Sequence, residues 1–171
     1  MFTEPFPIEG PWPGHLAISA RPRGGDWLEE ELRAWKRAGI DIIVSLLEPE
    51  ESVDLELEQE KVLSKASGIE FVSFPIVDRA VPAPGVDIQG FLREIGSQLR
   101  QGQSAVVHCR QGIGRAGLIA AALLIEQGLN PEQAIQRVSA ARRAPVPETL
   151  VQRVWIESFA ASLAANPSAA S

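Results

Sequence analysis

The order of apolar patterns along this chain predicts a single α/β domain: a central, mainly parallel β-sheet flanked by helices. Three observations predict it. Short apolar runs alternate with amphipathic helical stretches as far as residue 109. Beyond that residue only helical patterns remain. The 171 residues, 45% hydrophobic and 22% charged, suffice for one real core and not for two.

Each element has its own signal. Residues 1–14 are rich in proline and read as an irregular N-terminal segment. "HLAISARP" (15–22) is a short strand or a pair of strands. "DWLEEELRAWKRAG" (26–39) has an acidic start, apolar Trp27, Leu28, Leu32 and Trp35, and a glycine stop, which are the marks of an amphipathic helix. "DIIVSLL" (41–47) is a buried strand, 50–67 a second helix, and "IEFVSFPI" (69–76) another strand. A proline-rich loop, "VDRAVPAPG" (77–85), leads into a third helix over 86–101. "SAVVHC" (104–109) is the last strand, followed by a helix from Arg115 to Gln127. In "NPEQAIQRVSAARR" (130–143), Asn130 is the N-cap and Pro131 the first helical residue. A final helix covers 147–163, and 164–171 read as a loose tail.

Composition narrows the function. The net charge of −6 disfavours a nucleic-acid or anionic-membrane partner. The imbalance is local, however. Residues 108–143 hold only Glu126 and Glu132 against Arg110, Arg115, Arg137, Arg142 and Arg143, so an anion would be welcome there. The single cysteine excludes an internal disulfide and a cysteine-rich metal site. The first residues lack the basic and apolar regions of a signal peptide, and the most apolar stretch, Gly117 to Ile125, is too short to span a bilayer. These features predict a soluble, cytoplasmic protein.

The junction after the last strand, "VVHCRQGIGRAG", carries two overlapping patterns. Gly112, Gly114 and Gly117 spell G-x-G-x-x-G, a dinucleotide-binding fingerprint. That reading needs a further strand ending in an acidic residue about 20 residues on. The only candidate, Glu132, falls inside a helical pattern, so the match is incidental. A Walker A loop is excluded because no G-K-[ST] is present.

The other pattern is C-x-x-x-x-x-R, from Cys109 to Arg115. A short loop between a strand and a helix N-terminus turns several backbone N–H groups inward, and the helix dipole adds positive potential. Gly112 and Gly114 allow the tight turn around a tetrahedral anion. The same field stabilises a thiolate; a cysteine so placed has a pKa lowered from about 8.5 into roughly the 3.5–7.5 range. Cys109 is thus the candidate nucleophile, and Arg115 offers a planar fork to two phosphate oxygens.

"VVHCRQGIGRAG" resembles the H-C-x5-R-[ST]-G signature of protein tyrosine phosphatases and dual-specificity phosphatases. "ISARPRGGDW", "GIDIIVSLLEPEE", "FVSFPIVDRAVP" and the C-terminal helices are similar, in that order, to the compact dual-specificity group. That group includes the cyclin-dependent-kinase-inhibitor-associated type and its bacterial relatives. The resemblance covers residues 15–163 and excludes the low-molecular-weight tyrosine phosphatases, whose cysteine loop lies near the N-terminus.

It implies a single-domain dual-specificity-phosphatase-like fold and a set of roles. Asp78, in "PIVDRAVP", stands where the family places its general acid. A carboxylate on a loop beside the pocket suits proton donation to the leaving oxygen and later activation of water. Its near rival, Asp87, looks like a helix-start residue. His108 is expected beneath the loop, fixing it by hydrogen bonding. Arg110 and Gln111 are expected to point outward to substrate, while Gly112, Ile113 and Gly114 complete the phosphate-binding loop with Arg115. Gln152 resembles a glutamine that some members use near the hydrolytic water; a polar position on an amphipathic helix explains it equally well. Arg142 and Arg143 either add to an anion-attracting rim or end a helix favourably. One residue departs from the pattern: Ala116 stands where the family has Ser or Thr, whose hydroxyl helps the cysteine sulfur leave.

The reading is a phosphomonoester hydrolase that passes through phosphocysteine, with no metal and no cofactor. The expected substrate is a phosphorylated protein or small phosphoester, and a monomer is expected. Two rivals stand beside it. A phosphate-binding module with little turnover draws on Ala116 and is opposed by Asp78. A rhodanese-like sulfurtransferase would not need Asp78.

Overall fold

The structure, a computed structural model, describes residues 1–166. Its strands are β1 (Phe6–Ile8), β2 (Leu16–Ala20), β3 (Ile42–Ser45), β4 (Glu70–Ser73) and β5 (Ala105–Cys109). Its helices are α1 (Leu28–Arg37), α2 (Pro49–Asp54), α3 (Glu60–Ala66), α4 (Ile88–Arg100), α5 (Arg115–Glu126), α6 (Pro131–Arg142) and α7 (Leu150–Ala165). The strands form one sheet in the order β1-β2-β5-β3-β4. β2, β5, β3 and β4 are mutually parallel, and β1 closes one edge antiparallel to β2. The predicted fold class, a mainly parallel sheet with helices on both sides, is the observed one.

Strand alternation divides the core in two. Leu16, Ile18, Ile42, Val44, Ala105 and Val107 face α4 to α7, whereas Ala17, Ile43 and Val106 face α1 and α3. α5 is buried from Arg115 to Ile125, because it lies against the sheet with α4, α6 and α7 around it. That position explains its nearly unbroken apolar sequence. No helix of the described residues is long and apolar enough to cross a membrane.

All four parallel strands end on the same side. The segments that follow β2, β3, β4 and β5 therefore gather above their carboxyl ends, where open α/β sheets place their ligands. Each of these segments supplies part of the site described below.

Three expectations need correction. Residues 1–14 are not irregular throughout: Phe6–Ile8 is a strand, and Ile8 and Trp12 lie in the larger core. Pro7 is compatible with it because β1 is an edge strand, where a missing N–H costs no ladder bond. Residues 50–67 are not one helix. α2 ends at Asp54, and Glu56 turns through φ 56° so that Leu57 can bury in the smaller core before α3 begins. The tail was expected from 164, but Ala164 and Ala165 continue α7, and 167–171 lie outside the described residues. The helix-start signals behave as read: Asp87 caps α4 through the Gly90 N–H, and Asn130 forms a capping box with Gln133.

Trp35 anchors the smaller core. It is wholly buried, and its indole N–H donates to the Thr3 carbonyl at 2.6 Å. Trp35→Ala should lower stability by about 3–5 kcal/mol, measured as a shift in urea midpoint at unchanged slope.

Candidate active site

The site begins with the alternation of β5. Adjacent residues of a strand point to opposite faces, so Cys109 faces the α5 side while His108 faces α1 and α3. His108 is fully buried there, with Nε2 2.7 Å from Glu60 Oε1 at the start of α3. His108 was expected to fix the loop by hydrogen bonding; its short hydrogen bond goes instead to Glu60 on the other face of the sheet, and only Nδ1, 3.5 Å from the Cys109 carbonyl, turns toward the loop.

The loop after Cys109 is held open by donors outside it. The Arg21 N–H donates to the Arg110 carbonyl at 3.3 Å. Arg142 donates from Nη2 to the Gln111 carbonyl and from Nε to the Gly112 carbonyl, each at 3.0 Å. Peptide units are planar and trans, so carbonyls drawn outward aim the next N–H groups inward. The Gly112 N–H accordingly donates to Cys109 Sγ at 3.3 Å. Gly112 itself is obligatory. It has φ +71°, and a Cβ there would lie 2.3 Å from the Ser19 carbonyl. Arg142, the basic residue in the last turn of α6 as expected, also braces the loop, with its guanidinium 4.7 Å above the Phe6 ring.

Arg115, the first residue of α5, is 1% exposed. Its guanidinium binds both oxygens of Glu51, Nη1 to Oε2 at 2.7 Å and Nη2 to Oε1 at 3.0 Å. Nη1 also donates to the Ile76 carbonyl at 2.9 Å, and Nη2 lies 3.1 Å from Asp78 Oδ1. Burial works against the Arg115 charge, but the Glu51 hydrogen bond and the charges of Cys109, Glu51 and Asp78 outweigh it and raise its pKa. Burial likewise works against the Glu51 charge. The hydrogen bonds from Arg115 and the Glu48 N–H, with the charges of Arg115 and Arg110, reverse that and hold Glu51 below the usual carboxylate value.

Asp78 is 52% exposed, on the loop after β4. The same loop is tied to the start of α7 twice. Arg79 pairs with Glu148 at 2.7 Å, and Gln152 Nε2 donates to the Ala80 carbonyl at 3.0 Å. Gln152 Oε1 accepts the Glu148 and Thr149 N–H groups, both at 3.1 Å, so its amide is engaged at both ends. In this arrangement Gln152 is a tether between helix and loop. Arg143, exposed at the end of α6 with φ 61°, takes a C-cap conformation.

Asp78, Cys109, Arg110, Gln111, Gly114, Arg115 and Glu148 enclose one pocket of about 50 Å³. Ile113 lies behind it, packed half-buried against the core. The predicted nucleophile, phosphate clamp and acid thus meet in one small polar cavity at a helix N-terminus. Sequence reasoning missed Glu51, Glu60 and Glu148. Only Glu51 had a signal, as half of a capping box with Glu48.

Comparison with known proteins agrees with this geometry. The family model described as "Tc-R-P: Polymorphic toxin system, DSP-PTPase phosphatase" matches residues 18–129, which run from β2 through α5. The chain belongs to that family. It is a compact member, of dual-specificity type, of the cysteine-based tyrosine phosphatase superfamily. Among curated relatives, protein tyrosine phosphatase type IVA 3 of Homo sapiens is 33% identical over 93 residues, 53% of each chain. The chain spans about half the length of the curated relatives it matches. Among solved structures, Tk-PTP in its active form is 26% identical with a TM-score of 0.71, covering 85% of this chain and 91% of its own. Kinase associated phosphatase, with its catalytic cysteine substituted by serine, shares the fold. Its TM-score is 0.80 at 23% identity, over 94% of this chain and 98% of its own.

Glu51 sets a pH limit. Its lowered pKa stabilises the fold above the ordinary carboxylate range, and that contribution disappears as pH falls through the lowered value. Glu51→Gln should cost about 3–5 kcal/mol, since it leaves a buried guanidinium without its counter-charge. The variant should also lose part of the parent's acid-induced drop in stability, the rest staying with carboxylates such as Glu31, which is likewise held below the usual carboxylate value; denaturant titration at neutral pH and below the carboxylate range measures this.

Proposed function

We propose that this protein hydrolyses phosphomonoesters through a phosphocysteine intermediate, as a dual-specificity or tyrosine phosphatase. The convergence of Cys109, Arg115 and Asp78 on one pocket, with the Gly112 N–H turned to the sulfur, carries the reading. Substrate phosphate enters above the N-terminus of α5 and meets the loop N–H groups, the helix dipole and Arg115. The nonbridging oxygens take the place at Arg115 that Asp78 Oδ1 holds in this structure. Cys109 Sγ attacks phosphorus as the ester P–O bond breaks, and protonated Asp78 gives its proton to the departing oxygen. Water then attacks phosphocysteine, Asp78 takes a proton from it, and the P–S bond breaks to release phosphate and thiolate.

The pieces are held by different strands, which suits the two steps. Glu51 fixes the Arg115 plane, so the fork is oriented before substrate arrives. Arg142 and Arg21 hold the loop carbonyls outward. Asp78, more exposed and on a loop, has room to reach the leaving oxygen. The substrate is a phosphorylated protein or small phosphoester in a cytoplasmic setting, met by a monomer.

Hydrolysis of an aryl phosphate should persist in EDTA and vanish in Cys109→Ser. Asp78→Ala should slow alkyl phosphates by about 10²–10⁴ while sparing activated aryl esters. Equal losses on both ester types would remove Asp78 from the proton-transfer role.

Ala116 is buried directly after Arg115 and brings no hydroxyl to the departing sulfur. A donor of that kind is worth about 10²–10³ in rate. Rapid mixing should therefore show a burst of leaving group followed by slow turnover. Ala116→Ser should raise the steady rate and leave the burst rate unchanged. A single phase insensitive to Ala116→Ser would place the slow step before phosphocysteine breakdown.

A further inference from the structure

A second concavity adjoins the phosphate pocket and shares Arg110 and Gln111 with it. It is larger, about 410 Å³, and Arg21 and Arg23 line it along the segment that follows β2. Three arginines on one groove stand out in a chain of net charge −6.

Their charges are not equally committed. Arg23 is bound through Nε and Nη2 to the fully buried Glu31 and lies 4.6 Å over the Trp27 ring, so it forms a neutralised wall. Arg21 donates from Nη1 to the Pro22 carbonyl; among the described residues it has no ion pair. Arg110 has one long contact, Nε to Glu51 Oε1 at 3.5 Å, with a carboxylate that Arg115 already holds by both oxygens. Its Nε is buried without a hydrogen-bond partner. Two positive charges therefore face the groove without a carboxylate of their own.

The groove is also close to the chemistry. Ala20 pairs with Cys109 across the parallel ladder, and Arg21 is the next residue. Neighbouring strands are roughly 5 Å apart, so Arg21 sits within one side chain's reach of the phosphate loop.

We propose that this groove is an anion subsite that takes a carboxylate side chain adjacent to the phosphorylated residue of a protein substrate. The inference rests on the phosphatase reading for its position but not for its binding chemistry. The carboxylate would accept from Arg21 and Arg110 while the phosphate occupies the loop. A protein substrate is favoured over a lipid because a chain of net charge −6 is repelled as a whole by an anionic bilayer.

The test uses two phosphotyrosine peptides that differ only in Glu or Gln on both sides of the phosphotyrosine, with an aryl phosphate as reference. At low salt the parent should favour the Glu peptide in kcat/KM by several-fold to about tenfold, less at high salt. Arg21→Gln should abolish the preference and Arg21→Glu reverse it, each read as the ratio of kcat/KM for the two peptides. Arg21→Lys, which keeps the charge, should retain it. Equal kcat/KM on the two peptides in the parent overturns the proposal, as does a preference that survives Arg21→Glu. So does loss of preference in Arg21→Lys while both peptides are still hydrolysed. Titration of the same peptides against the parent by fluorescence anisotropy separates the two readings. Tighter binding of the Glu peptide, lost in Arg21→Glu, supports the subsite even if no hydrolysis occurs. Equal binding overturns it. Vesicles containing a phosphatidylinositol monophosphate form the last arm: turnover matching the Glu peptide and equally lowered by Arg21→Glu would overturn the protein-substrate assignment.

Discussion

Arg115 keeps its charge at any ordinary pH, yet almost none of it touches water. A buried guanidinium is tolerable only when its hydrogens find acceptors, and here the acceptors come from three separate segments. Glu51 belongs to the helix after β3, the Leu46 carbonyl to the turn before that helix, and the Ile76 carbonyl to the loop after β4. Satisfying one side chain therefore draws the ends of β3, β4 and β5 together. The capping box that starts α2 contributes, because Glu51 also accepts the Glu48 N–H and is held in place by it. A helix-start motif and an anion clamp thus share one carboxylate.

The sheet supplies the second constraint. Parallel neighbours on both sides of β5 keep Cys109 at its end, with β2 and β3 as flanks. The residue before it points to the opposite face. Glu60 and Trp35, both fully packed in that smaller core, surround His108. The loop thus has support beneath it from α1 and α3 and bracing above it from Arg142 of α6.

Much of this was legible in the sequence, and the rest was hidden for identifiable reasons. The C-x5-R spacing at a strand–helix junction located the pocket, because such a loop needs its nucleophile at one end and its cation at the other. The short apolar runs located the buried strands. Glu51 was hidden because acidic residues at helix starts are common, and only the fold shows which one meets an arginine 64 residues away. Glu60 was hidden for the same reason, its histidine being 48 residues away. The break at Glu56 was hidden because a non-glycine residue takes the left-handed turn. Gln152 was read as a polar helix position or a water ligand. Its contacts form inside a loop–helix junction that no local pattern encodes.

Arg142 stacks on Phe6, and Phe6 belongs to a strand of three residues at the margin of the sheet. Such margins open most readily in a folded protein, at free energies well below that of global unfolding. When β1 frays, Arg142 loses the ring beneath it, and the Gln111 and Gly112 carbonyls lose part of what holds their donor in place. The donor that braces the anion loop is therefore itself backed by a ring from the far edge of the sheet.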